Sequence, residues 1–322
     1  MRNFAKPRVV VSKCIEFEAC RYNGELLHDE TVQQLEPFVD YIPICPEVEI
    51  GLGTPRDTIR IVEINGVERL IQPSTGMNLT DKMNAFSENF LASLTDVDGF
   101  ILKNRSPSCG TRDVKIYSNN GKMPVLSKGS GMFGRKVLAQ FGHAAVEEEG
   151  RLKNFTIREH FFIKLFTLAH WRKMKEKPTY QKLQDFQASN KYLFMTYSQT
   201  KLKELGRIVA EHRKIDLEII YNKYEQLLYQ LLSKTPQYRS HVNTCQHIFG
   251  YYSKSLSDKE RKYFLDLLDK YVDKKVPLSA VVSLLKSWAI RFNQEYLLSQ
   301  TYFEPYPEEL VAISDSGKGR DY

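Results

Sequence analysis

The stretch Arg8-Val9-Val10-Val11-Ser12-Lys13-Cys14 carries the reading of the fold. Its run of valines between polar residues predicts a short buried strand, with a cysteine just past the strand end. The pattern recurs: Tyr41-Ile42-Pro43-Ile44 leads into Cys45-Pro46-Glu47, and Gly99-Phe100-Ile101-Leu102 precedes Ser106-Pro107-Ser108-Cys109-Gly110. Strand ends at one rim would gather these sulfurs into a metal centre with three thiolates and one vacant coordination position. On spacing alone, the same residues read equally well as small buried hydrophobes.

Outward from these strands, strand and helix signals alternate. Asn23-Gly24 marks a turn, a helix is expected within 26–39, and 57–72 reads as a hairpin around Asn65-Gly66. Leu79 to Leu94 has helical spacing with Thr80 and Asp81 as capping residues, and Gly129 to Gly134 leads into a helix ending near Phe141. The charged stretch Glu147 to Lys153 reads as an exposed boundary. Beyond Thr156 almost everything has helical periodicity, with helices expected over 202–212, 237–252, 258–272 and 278–298.

The chain of 322 residues is long enough for two domains. Glycine and charge divide it in the same place. Residues 1–155 hold 13 of the 17 glycines and balance 19 Lys and Arg against 20 Asp and Glu, leaving 27 against 19 in the remainder. The expected architecture is therefore an α/β domain over 1–150, a basic all-α helical domain over 151–313, and a disordered tail over 314–322. Residues 1–8 lack the apolar core of a secretion signal, and no stretch approaches the roughly 20 apolar residues that span a bilayer. A cytoplasmic location is expected, where five cysteines serve as thiols or ligands rather than disulfides.

Thiolates suit iron–sulfur clusters or zinc, and the absence of any Cys-x-x-Cys pair excludes a compact zinc ribbon. Glu47, two residues past Cys45, would project to the same side of an extended segment and serve as a general base. Ser106 would orient a substrate or water. The alternative for this pair is that Glu47 pairs with Arg56 and Ser106 caps a turn.

Three blocks together resemble the thiouracil desulfidase family: Ser12-Lys13-Cys14 through Asn23-Gly24, Cys45-Pro46-Glu47 through Gly51-Leu52-Gly53-Thr54-Pro55-Arg56, and Leu102-Lys103-Asn104-Arg105-Ser106-Pro107-Ser108-Cys109-Gly110. The resemblance spans about 7–145. It implies a [4Fe–4S] cluster held by Cys14, Cys45 and Cys109, with one iron free to bind the thiocarbonyl sulfur of a thiolated pyrimidine. Water activated by Glu47 would attack the ring carbon, Ser106 would position the base or the water, and sulfide would leave without net redox change. Cys20 lies six residues after Cys14; as a fourth ligand it would close the vacancy, and it is read as a non-ligand.

The second half resembles the helical domain of unknown function fused to desulfidase-like domains in YbgA-type bacterial proteins. The agreement lies in Phe162 to Trp171, Lys191-Tyr192-Leu193-Phe194-Met195, Leu205-Gly206-Arg207-Ile208-Val209-Ala210 and Tyr302-Phe303-Glu304-Pro305-Tyr306-Pro307. Where that family carries Phe-His-x-x-His-Lys, this chain has Phe186-Gln187-Ala188-Ser189-Asn190-Lys191. Arg172, Lys173, Lys175 and Lys177, followed by Lys201, Lys203 and Arg207, form an RNA-binding candidate, with Tyr180, Tyr192 and Tyr197 available to stack on bases. A solvated surface is the competing reading.

Fusion to a basic domain points to 4-thiouridine in tRNA as the substrate of a hydrolase-type desulfidase. The alternatives are a desulfidase of free thiouracil or another small thiolated compound, and a non-enzymatic iron–sulfur RNA-binding sensor. Oligomeric state is open.

Overall fold

The Val9-Val10-Val11 run forms β1 (Arg8–Ser12), and all three valines are fully buried, as a strand covered on both faces requires. In this computed structural model, which describes residues 2–119, 123–211 and 216–311, β1 pairs in parallel with β2 (Asp40–Ile44) on one side and β6 (Gly99–Leu102) on the other. With β9 (Ala145–Glu148) beyond β6, they make a four-stranded parallel sheet of order β2-β1-β6-β9. The chain winds outward from β1 to β2 and returns across β1 to β6. The point where strand order reverses leaves a crevice at the C-terminal strand ends. Cys14, Cys45 and Cys109 follow those ends.

Before β6 come α1 (Glu30–Leu35), α2 (Pro46–Glu49), β3 (Arg60–Ile64), β4 (Val67–Gln72), β5 (Met77–Asn78) and α3 (Thr80–Ser93). After it come β7 (Val114–Ser118), β8 (Val125–Gly129) and α4 (Met132–Phe141). The expected hairpin is β3–β4, turning through Asn65 at φ 51° and Gly66 at φ 75°. It belongs to a second, five-stranded sheet of order β5-β4-β3-β7-β8.

Two expectations are corrected here. Thr80 does not cap α3: its backbone N–H is held by Asn78 Oδ1, and its own Oγ accepts from Leu70 N at 2.9 Å. Nor is Glu147–Lys153 an exposed boundary, because Glu147, Glu148 and Glu149 are buried at the end of β9, where their carboxylates serve hydrogen-bond donors.

The remainder is helical: α5 (Phe155–Lys175), α6 (Tyr180–Ser189), α7 (Lys191–Tyr197), α8 (Gln199–Ala210), α9 (Leu217–Leu231), α10 (Tyr238–Phe249), α11 (Asp258–Val272), α12 (Leu278–Arg291) and α13 (Glu295–Leu298). The helix expected over 278–298 is broken by Asn293, whose φ of 49° ends α12. The described residues divide into two compact units, 3–170 with 307–311, and Arg2 with 171–306. The helical unit is centred on aromatic packing: Trp171 stacks on Tyr224 at 5.0 Å, and Phe249 on Phe264 at 4.4 Å. The tail expected over 314–322 lies outside the described residues. No helix among the described residues is long and apolar enough to cross a membrane.

Candidate active site

Three hydrogen bonds stitch the strand ends together. Lys13 N donates to Ile44 O at 2.8 Å, joining the ends of β1 and β2, and Lys103 N donates to the buried Ser12 hydroxyl at 2.9 Å, joining β6 to β1. Leu27 N closes on the carbonyl of Cys14 at 2.8 Å. The cysteines therefore leave adjacent strands at one level, and Cys14, Cys20, Cys45 and Cys109 all line one cavity of about 750 Å³ within the α/β unit. All four thiols are buried and free of disulfides.

Cys45 is the N-cap position of α2, with Pro46 at the first helical position, where its fixed φ and missing N–H cost nothing. Glu47 consequently lies on a helical turn, not on the extended segment expected from sequence. It still faces the cavity. Its Oε2 accepts from Arg56 Nε at 2.9 Å and Nη2 at 2.7 Å, a two-point pairing in which both side chains are largely buried. Its Oε1 faces two hydroxyls, accepting from Ser108 Oγ at 3.0 Å and lying 3.4 Å from Ser106 Oγ.

Ser106 has two tasks, since its Oγ also accepts from Ser108 N at 3.2 Å and Cys109 N at 3.1 Å. Arg56 pairing and turn capping, set against a site role in the sequence reading, occur inside the cavity itself. Ser108 is fully buried and is the closer hydroxyl partner of Glu47. Sequence reasoning passed over it, although its place two residues after Ser106 was the available signal. Arg56 Nη1 also donates to Cys20 O at 3.0 Å, so one guanidinium ties the carboxylate to the Cys20 segment.

The cysteine loop is seated on the start of α4. Met132 N donates to Pro107 O, and Phe133 N and Gly134 N both donate to Ser108 O, all at 3.0 Å. These are the helix-end N–H groups that have no intrahelical partner.

Three of the thiols are pushed toward the protonated form. The neighbouring Cys14 pushes the Cys20 thiol up to about 11, Cys20 and then burial raise Cys45, and burial raises Cys109. The cavity lining carries eight Lys or Arg side chains against two acidic ones.

In the helical unit the expected basic run is partly neutralised. Lys173 pairs with Glu176 at 2.8 Å and Lys175 with Glu225 at 2.7 Å, while Lys201 donates to Gln230 at 3.1 Å. Arg172 is half-buried, whereas Lys177 is exposed and its carbonyl accepts from Lys182. Lys203 and Arg207 stand one turn apart on α8, both exposed. Tyr192 is buried and cannot stack on a base. Tyr251 and Tyr296, not singled out from sequence, are exposed, with their rings stacked 6.2 Å apart.

These elements define an α/β protein with a thiol- and carboxylate-lined cavity at its strand-end crevice, joined in one chain to a helical domain. Residues 9–149 match the 2-thiouracil desulfurase family, and residues 191–307 match a family described as a protein of unknown function, DUF1722. The uncharacterized protein YbgA of Escherichia coli (strain K12) is 31% identical over 157 residues, covering 48% of this chain and 92% of that protein. The uncharacterized protein YbbK of Bacillus subtilis (strain 168) is 28% identical over 148 residues, covering 44% of this chain and 95% of that protein. The solved structure of the [4Fe-4S]-dependent thiouracil desulfidase TudS is 25% identical, covering 46% of this chain and 93% of that one with a TM-score of 0.36. The chain belongs to the YbgA-like family, with a 2-thiouracil desulfurase domain followed by a DUF1722 domain.

Proposed function

We propose that this protein is a [4Fe–4S]-dependent desulfidase that converts 4-thiouridine in tRNA to uridine, with water supplying the new oxygen and sulfide departing. The observation that carries the reading is the convergence of buried thiols, Glu47 and Ser106 on one cavity of about 750 Å³, with the buried Ser108 hydroxyl donating to Glu47, in a 2-thiouracil desulfurase domain. Cys14, Cys45 and Cys109 would hold the cluster, with Cys20 beside it as a non-ligand.

The donor chemistry fits such a group. Cys14, Cys45 and Cys109 offer three soft thiolate donors from three segments that line one cavity, though among the described residues no three His, Cys, Asp or Glu side chains stand together as a preformed metal site. A cluster distributes its thiolates over separate irons. When bound, it supplies a Lewis-acidic iron that polarises a thiocarbonyl.

The remaining chemistry belongs to the side chains. Arg56 fixes Glu47 Oε2, leaving Oε1 at the serine hydroxyls to take a proton from an attacking water. Ser106, anchored by two backbone N–H groups, orients that water or the pyrimidine. Oxygen replaces sulfur at the ring carbon and the sulfur leaves as hydrogen sulfide, so no electrons are gained or lost. Lys203 and Arg207, exposed one turn apart on α8, would contact RNA phosphates.

Anaerobically reconstituted protein incubated with thiolated tRNA should bleach the near-ultraviolet absorbance of 4-thiouridine; unchanged absorbance with an intact cluster rejects the reading. The family description favours free thiouracil as a second candidate substrate. Parallel assays with the free base and with tRNA separate the two.

A further inference from the structure

We propose that Glu148 and Glu149 are positioning residues that clamp the two ends of the Ser106–Gly110 loop and so hold Cys109 and Ser106 at the cavity and Ser108 on Glu47, a role whose catalytic meaning rests on the desulfidase reading above. The two carboxylates stand at the end of β9, the strand beside β6, and both are nearly inaccessible, each 3% exposed. A buried carboxylate is costly unless its oxygens are occupied by donors. Here nearly every donor comes from the loop's flanks.

Glu149 takes the entrance. Its Oε2 accepts from Asn104 N at 2.7 Å and its Oε1 from Lys103 Nζ. Glu148 takes the exit, where its Oε1 accepts from Thr111 N at 2.6 Å, Thr111 Oγ at 3.0 Å and Arg112 N at 3.2 Å. Between and just beyond these anchors the backbone adopts a conformation that L-residues disfavour: Arg105 has φ 55° and Asp113 φ 56°. Such conformations persist where the surroundings over-determine them. Charge-assisted bonds at both ends meet that need, and they set where Ser106, Ser108 and Cys109 lie relative to Glu47.

The two anchors respond differently to the same substitution. In Glu148→Gln an amide oxygen can replace Oε1, the single atom that all three donors use. Glu149 uses both oxygens, so Glu149→Gln must present an NH₂ either to the Lys103 ammonium or to Asn104 N–H.

The test uses the full-length protein without its cluster, under anaerobic conditions, and measures iodoacetamide labelling of each cysteine by mass spectrometry. Glu149→Gln and Glu148→Ala should accelerate Cys109 labelling by about ten- to a hundredfold, the effect of losing a charge-assisted hydrogen bond. Cys245, buried in the helical unit, should label at the parent rate. Glu148→Gln should stay close to the parent. After reconstitution, iron and acid-labile sulfide per chain should fall in the first two variants and be retained in the third.

Parent-like Cys109 labelling in both Glu149→Gln and Glu148→Ala overturns the clamp. So does equal acceleration at Cys245, which would mark general unfolding. Should Glu149→Gln not accumulate as folded protein, Glu148→Ala reads the other anchor. Because labelling needs no turnover, a parent protein inactive on every thiolated pyrimidine counts against the desulfidase reading and leaves the clamp standing.

Discussion

At Glu47, two functions that sequence reasoning set against each other coexist, because the carboxylate has two oxygens and each has its own partners. Removing the whole side chain would strand the Arg56 guanidinium, which is only 6% exposed, so Glu47→Gln is the cleaner probe. Glu47→Gln should lower kcat on thiolated substrate by about 100- to 10,000-fold while iron content and visible absorption stay at parent levels. Parent-like turnover would remove Glu47 as the base. Cys20 is the complementary case. It neighbours Cys14 and Cys45, and if it is the non-ligand proposed above, Cys20→Ala should keep the full iron and sulfide content and remain active. Iron falling to the level of Cys14→Ala would make Cys20 a fourth ligand and close the open position. Glu47, Ser106 and the cysteines were legible because they sit in dense local motifs. The Glu47–Arg56 pairing was legible too, as the alternative weighed for that carboxylate, whereas Ser108 as the nearer hydroxyl was not, since it depends on how segments distant in sequence meet.

Among the elements, α4 packs directly on the backbone of the cysteine loop. An added Cβ at Gly134 would run into Gly110 O and come within 2.6 Å of Cys109 O, both backbone atoms that cannot swing aside. Helix propensity alone predicts that alanine at this interior helical position gains about 0.4–1 kcal/mol. Overpacking predicts a loss of about 1–3 kcal/mol, and backbone contact makes that term dominate. Gly134→Ala should therefore lower the urea midpoint and reduce iron incorporation; an unchanged midpoint with full iron would mean that α4 does not seat the cysteine loop. In the helical unit, the start of α11 carries a capping box in which Ser257, together with Arg291, holds Glu260 down to about 2. A depressed folded value means stability present above the ordinary carboxylate range and lost as pH falls. The stability difference between parent and Glu260→Gln should thus shrink as pH drops from about 4.5 to about 2, and a pH-independent difference would show that the carboxylate charge is irrelevant. The hairpin turn and most helices were legible from periodicity and turn chemistry. The strand β8 was not, because its Val-Leu-Ser-Lys-Gly run lacks a clean alternation. The triple glutamate misread as surface has the composition of a solvated run, and only its tertiary donors make burial tolerable.

For the whole molecule, charge separates the two candidate substrates more sharply than the fold does. The sequence correctly divides the chain into a near-neutral α/β part and a basic helical part, but net charge does not say which cations are free. Lys173 and Lys175 pair with carboxylates, whereas Lys203 and Arg207 stand exposed one turn apart on α8 and are the pair proposed to contact phosphates. If tRNA is the substrate, its binding releases counterions, so log Kd should rise steeply and linearly with log salt. Each lost phosphate contact should flatten that slope by about one, so the full-length double variant Lys203→Gln/Arg207→Gln should flatten it by about two and weaken binding to thiolated and unthiolated tRNA alike. Free thiouracil has no phosphates, and the parent's KM for it should vary little over the same salt range. A shallow tRNA slope in the parent, or one that the double variant leaves unaltered, would detach the α8 face from RNA recognition. Salt dependence is the appropriate measurement because it counts phosphate contacts directly, whereas a single affinity mixes them with stacking by exposed rings such as Tyr251 and Tyr296.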